Sequence, residues 1–367
     1  MADVFFTAVN AVVPLVLLIV LGYVLKRIKF LSGDFLKIGN KFVFNVCLPC
    51  MLFVNIYDNM NSFAEVPWAV VLYVVIVVFV IFGLGLLTAL LTTKKKNRRG
   101  VLLQCAFRSN FAIIGLPLVE RLGGDAALGG IVSAFSIPVF NILAVIALTV
   151  FAEYNIAESP NGGVQLSIDG LLSDKNALKI KRGGANGAQS VLINILKNPL
   201  IIGVAAGLLF VAIRELERAC CGGRVPFRFD TQLKFLYLCT VDLKAIASPL
   251  ALVVLGGQFE FSAVKGMTKE IAVGTAWRIV IAPLIGIGGA VLINFIAPNL
   301  LGLTPQAYPT LVALYATPVA VSSAIMAGQM GGDEQLATQL VVWTSICSIL
   351  TVFFTVFILM SCGLIIT

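Results

Sequence analysis

The sequence predicts an all-α integral membrane protein of ten transmembrane helices, laid out as two inverted five-helix repeats with helices four and nine broken. Three observations carry that expectation. Hydrophobic residues make up 59% of the 367 residues and charged residues only 12%, with a mean hydropathy of +1.00; soluble globular domains are about half apolar and about a quarter charged. Apolar stretches of about 20 residues recur along most of the chain, the length a helix needs to cross roughly 30 Å of hydrocarbon. The third is an anomaly: Arg108-Ser109-Asn110-Phe111-Ala112-Ile113-Ile114-Gly115-Leu116-Pro117 interrupts one of those stretches.

In chain order, the first span covers residues 6–25. It starts without a basic leader and no small-residue cleavage pattern follows, so it reads as a retained span and Met1 as the start of the mature chain. Lys26, Arg27 and Lys29 mark its far end as cytoplasmic. The second span, 36–56, carries Asn45 and Pro49 as helix-break support, and an acidic, lysine-free loop follows at 57–67. The third, 68–92, ends in Lys94-Lys95-Lys96-Asn97-Arg98-Arg99, read as a topology anchor on anionic lipid. The fourth is the interrupted span, 101–122, and the fifth runs over 126–151.

Residues 153–190 change character, with Ser159-Pro160-Asn161-Gly162-Gly163 and Gly183-Gly184-Ala185-Asn186-Gly187 bracketing a short mixed segment. They read as a cytoplasmic linker between a first repeat, 1–152, and a second, 191–367. The remaining spans fall at 191–213, 233–257, 271–297, 309–330 and 336–363.

Five spans before the linker force the second half to insert upside down. Sequence echoes agree. Pro14 precedes Gly22 by eight positions as Pro199 precedes Gly207, Pro49 is answered by Pro249, and Gly123-Gly124-Asp125 by Gly331-Gly332-Asp333. With the N-terminus outside, most Lys and Arg fall on the cytoplasmic side; Arg214, Arg218, Arg224 and Arg228 are the exception. The net charge of +8 is explained by this asymmetry, and nucleic acid is not expected as a partner.

The chemistry is expected at the interruptions. Pro117 has no N–H for the carbonyl of Ile113, Gly115 weakens the same turn, and Leu116 is pushed from helical dihedrals, so the helix is expected to break there. Freed backbone groups at membrane depth are tolerated only against protein or a wet cavity. The N-terminal ends of half-helices attract anions. Asn110, Ser109, Thr317, Ser322 and Ser323 offer hydrogen-bonding groups on the two segments; alternatively they merely bridge neighbouring helices. Charged residues inside spans are functional candidates: Arg108 as an attractor of the anion or partner of a carboxylate, Asp242 as the titratable group of a proton-coupled step, and Lys244 and Arg278 as charge-pairing groups. Eight cysteines but no histidine leave Cys47-Leu-Pro-Cys50 without partner ligands, so no metal and no cofactor are expected.

Ser109-Asn110 followed by Gly115-Leu116-Pro117-Leu118, a second break at Thr317-Pro318, and the Gly331-Gly332-Asp333 turn into a last span resemble the auxin efflux carrier family. The resemblance covers essentially the whole chain, with the central hydrophilic stretch short as in bacterial members. It implies two inverted five-helix repeats, a crossover of the fourth and ninth helices, and elevator-like transport of an organic anion such as malate or malonate at the cell membrane. Asn110, Gly115, Pro117 and Pro318 carry over as substrate-site and crossover residues. Plant relatives have a second proline where this chain has Ser322-Ser323-Ala324, which leaves the ninth-span break softer or displaced. A sodium-coupled symporter of the bile-acid type and a non-transporting sensor remain alternatives, and no GxSxG or paired-aspartate motif points to an enzyme. The expected partners are the small organic anion, the lipid bilayer and, as a homodimer, a second copy of the chain.

Overall fold

Backbone in hydrocarbon is satisfied only as helix or closed barrel, and continuous runs of about 20 residues of Leu, Ile, Val and Phe without alternation take the helix. The computed structural model describes residues 2–60, 66–152, 156–158, 164–166 and 197–365. Helix α1 (Ala2–Arg27) opens the chain. Seven helices are long and apolar enough to cross a membrane: α2 (Gly33–Asp58), α3 (Trp68–Thr92), α6 (Ala126–Phe151), α7 (Pro199–Cys220), α8 (Lys234–Gln258), α9 (Thr268–Ile296) and α12 (Glu334–Ser361). Two further segments are interrupted: α4 (Lys96–Phe107) with α5 (Leu116–Arg121), and α10 (Tyr308–Tyr315) with α11 (Ser322–Gln329). Leu72, Ile76, Phe79, Leu91, Phe295, Ile296 and Leu350 stand exposed on the outside, an apolar surface suited to lipid. The chain is an all-α membrane protein.

Of the linker expected at 153–190, the structure describes a two-stranded antiparallel ribbon, β1 (Ile156–Glu158) and β2 (Val164–Leu166), with Ala157 opposite Gln165. The rest of it, and the 191–196 start of the sixth span, lie outside the described residues. Helix α7 begins at Pro199, with Asn198 capping it by accepting from the Leu200 N–H.

Three of the prolines within spans do not break their helices but follow a widened turn, while Pro14, Pro138 and Pro249 sit in regular helix. Pro49, Pro117 and Pro283 each follow a π-helical turn, at Val43–Cys47, Phe111–Gly115 and Trp277–Ile281. A wider turn moves the carbonyl four residues back away from the proline ring, which a regular turn would press against it. The expectation that Gly115 and Pro117 mark the break is therefore corrected. The backbone leaves the helix earlier, at Arg108, Ser109 and Asn110, and is helical again by Leu116.

Two close crossings join the halves. Helix α1 packs on α8 and α2 packs on α7. At the first, a Cβ on Gly22 would strike the carbonyl of Val253, and one on Gly256 the carbonyl of Ile19. At the second, a Cβ on Gly203 would lie 2.6 Å from the Pro49 carbonyl oxygen, and one on Gly207 2.9 Å from Cβ of Ile56. Small residues let backbones approach where lipid offers no hydrophobic driving force.

Candidate functional site at the crossing of the interrupted helices

The two interruptions meet. Ser109 pairs with Val319 in an antiparallel bridge; the Asn110 N–H donates to the Pro318 carbonyl (2.8 Å) and the Ala320 N–H to the Arg108 carbonyl (3.3 Å). Each extended break thus satisfies backbone groups of the other inside the packed helices. Pro318 needs no donor there: it supplies a carbonyl.

The second halves begin at this bridge, at Phe111 and at Ser322. The first N–H groups of a helix have no intrahelical partner and carry partial positive charge. Ser109, Asn110 and Ala112 from one start and Ala320, Val321 and Ser322 from the other line a cavity of about 40 Å³, closed by residues of α2, α6 and α8 such as Met51, Asn141 and Ser248. At 10–15 Å³ per water, that is room for about three waters.

Arg108 projects into this wall and is 4% exposed. Its guanidinium donates to Gln104 Oε1 (3.1 Å), Asn141 Oδ1 (2.7 Å) and Ser322 Oγ (2.9 Å), and contacts Met326 Sδ. All are neutral. No carboxylate pairs with it among the described residues, and none lines the cavity. Asn141 is itself held by donating from Nδ2 to the Ile137 carbonyl (2.8 Å). The Asn110 carboxamide caps no helix, and the Ser109 hydroxyl is buried with no partner among the described residues. The wall therefore holds one positive charge and unspent hydrogen-bonding groups.

The other expected site residues divide. Ser109, Asn110, Ser322 and Arg108 come together at the cavity, and Pro318 and Thr317 support it from the backbone. The Thr317 hydroxyl donates back to the Ala313 carbonyl (2.7 Å). Ser323 faces away, into a second void of about 10 Å³ beside Gln104. Gly115 packs against Ala313, and Pro117 is exposed; neither lines the cavity. Arg278 is buried on backbone carbonyls. Asp242 is exposed on α8, and Lys244 lies 3.9 Å from Asp58 near the opposite end of that helix from Gln258. Asn45 donates to the Lys41 carbonyl (2.8 Å); Pro49 supports the α7 crossing, and Pro249 is exposed within α8. All eight cysteines are free, and Cys239 and Cys362 are exposed. Sequence reasoning missed Gln104, Asn141 and Ser248. Asn141, a carboxamide three residues past Pro138 in a mostly apolar span, carried a usable signal, because a polar side chain inside a span is costly.

A multiply spanning helical protein whose two interrupted helices cross at a largely apolar cavity bearing one buried guanidinium has the form of a membrane transport protein. The family model described as membrane transport protein, the family of the auxin efflux carriers, matches residues 7–356, nearly the whole chain, and the chain belongs to that family. It is a family of transporters rather than enzymes. Among curated proteins, none matches the chain.

Proposed function

We propose that the protein is a secondary transporter that moves a small organic anion, a mono- or dicarboxylate such as malate or malonate, across the cytoplasmic membrane by elevator-type alternating access. The observation that carries this reading is Arg108: a buried guanidinium at the cavity wall, held only by neutral side chains, beside two helix starts. A buried cation without a counter-ion is costly, and a transported carboxylate would supply the missing charge. The cavity is too small for malate as it stands, so binding requires the opening that alternating access provides.

The ten-span, two-repeat layout rests on paired contacts. Counting α1 and the two interrupted segments with the seven long helices gives ten. The first span meets the seventh and the second meets the sixth, as a two-fold exchange of halves requires. Gly123 and Gly331 both turn with positive φ, 66° and 73°. Asp125 and Asp333 then cap α6 and α12 by accepting from Leu128 and Leu336, both at 3.0 Å. Their backbone N–H groups reach across the halves, Asp125 to the Gln306 carbonyl (2.9 Å) and Asp333 to that of Asn97 (3.2 Å). The two bridge hydrogen bonds at the crossing exchange in the same way.

The orientation with the N-terminus outside is supported by the arginines that had opposed it. Arg214 is buried, with Nη1 on the Tyr57 carbonyl (2.9 Å) and its guanidinium 3.7 Å from the Tyr57 ring centre. Arg218 pairs with Glu215 and Arg228 with Asp230. Two of the four arginine charges there are thus neutralised locally.

The test is uptake by proteoliposomes of a panel of radiolabelled monocarboxylates and dicarboxylates, with and without Na⁺ and pH gradients. Saturable uptake of one class is expected. Uptake of cations or neutral solutes in preference to every anion would overturn the reading, and strict Na⁺ dependence would favour a symporter of the bile-acid type.

A further inference from the structure

While the starts of the second halves open on the cavity, the ends of the first halves converge on one side chain from α9. Arg278 is fully buried. Its Nε donates to the Thr317 carbonyl (2.9 Å), Nη2 to the carbonyls of Leu314 (2.9 Å) and Tyr315 (2.8 Å), and Nη1 to that of Ala106 (3.5 Å). Ala106 is in the last turn of α4; Leu314 and Tyr315 are in the last turn of α10, and Thr317 follows it. No carboxylate pairs with Arg278 among the described residues.

The last carbonyls of a helix have no intrahelical donor, and each C-terminus carries about half a negative charge. Two such ends brought together away from water form a nest of carbonyl oxygens, the ligand type that hard cations select. Here the nest is filled, and by a group whose donors form a planar fork. The contrast with Arg108 is one of partners: Arg108 bonds side chains at the cavity, while Arg278 bonds only main chain on the other side of the crossing.

We propose that Arg278 is a tethered cation occupying the place that a coupling ion would take at the crossing, and that its removal opens a binding site of backbone carbonyls for a free guanidinium-type cation. Arg278 is then a positioning residue that holds both first halves in register without sodium. The transport part of this inference rests on the proposed function; the cation-binding part does not.

The experiment uses the full-length chain carrying Arg278→Ala, in detergent and in proteoliposomes, with millimolar methylguanidinium, urea as its neutral counterpart, NaCl or choline chloride. Anion uptake should fall by at least about tenfold, the worth of one lost charge-assisted hydrogen bond or more, and the melting temperature should drop. Methylguanidinium should restore both, and urea neither; the wild-type protein should respond to neither. A melting temperature raised by Na⁺ in the variant alone also supports the site. A variant that melts and transports as wild type, or that no cation rescues, overturns the proposal, as does Na⁺-dependent uptake by the wild type. If Arg278→Ala yields no folded protein, Arg278→Lys and Arg278→Gln decide: charge without the fork should outperform a neutral amide in melting temperature and uptake, and the reverse order overturns it. Absence of anion uptake by the wild type would remove the proposed function while leaving the melting result to stand.

Discussion

Replacing Asn110 by alanine separates binding from folding. The hydrogen bonds that hold the crossing at this residue are all main chain: its N–H to the Pro318 carbonyl, and its carbonyl accepting from Ile114 (3.0 Å) and Gly115 (3.3 Å). Alanine keeps every one. The carboxamide forms no helix cap and faces the cavity, so its removal should change stability by less than about 1 kcal/mol. A bound carboxylate, by contrast, would lose a hydrogen bond to a charged group inside the membrane, about 1.5–3 kcal/mol. At about 1.4 kcal/mol per factor of ten, uptake at subsaturating substrate should fall roughly ten- to a hundredfold. Initial rates in proteoliposomes and the melting temperature of the same preparation measure the two quantities side by side. Unchanged uptake would remove Asn110 from the site, and a collapsed melting temperature would mean that the side chain is structural.

Three further outcomes follow from the packing. The Arg98 side chain is 9% exposed and pairs with Glu270 (2.9 Å) and Asp333 (2.8 Å), tying the start of α4 to α9 and α12; Arg98→Ala strands two mostly buried carboxylates and should cost about 3 kcal/mol, read as a lower melting temperature. Gly256→Leu drives a side chain into the Ile19 backbone and should abolish folded protein in size-exclusion profiles, since overpacking a close crossing leaves no rotamer free. In a Cys239→Ser, Cys362→Ser background, the exposed pair Cys220 and Cys221 should react with an impermeant maleimide added outside intact cells, whereas Lys95→Cys with Cys220 and Cys221 also replaced should not. The opposite pattern would invert the proposed topology.

How much of this was legible in the chain can be argued from particular residues. The ends of α3 and α6 fall where the apolar runs end, at Trp68, Thr92, Ala126 and Phe151, because hydrocarbon thickness and the cost of an unbonded backbone leave little choice. The anomaly of Arg108, Ser109 and Asn110 in an apolar span also identified the cavity wall. Pro117 misled, since a proline forbids a hydrogen bond but does not say whether the chain answers with a break or a wider turn; Phe111–Gly115 takes the wider turn. Arg108 and Arg278 read alike in sequence, as buried charges awaiting a partner. Only the tertiary structure separates them.

Composition and the apolar runs therefore determined that the protein is helical, lies in a membrane and has interrupted spans, because those follow from the solvent and from local backbone rules. Which polar groups face the cavity was decided by partners more than a hundred residues apart, such as Asn110 with Pro318 and Arg278 with Ala106. A guanidinium goes where carbonyls or amides converge, and that convergence exists only once helices from both halves of the chain have packed together.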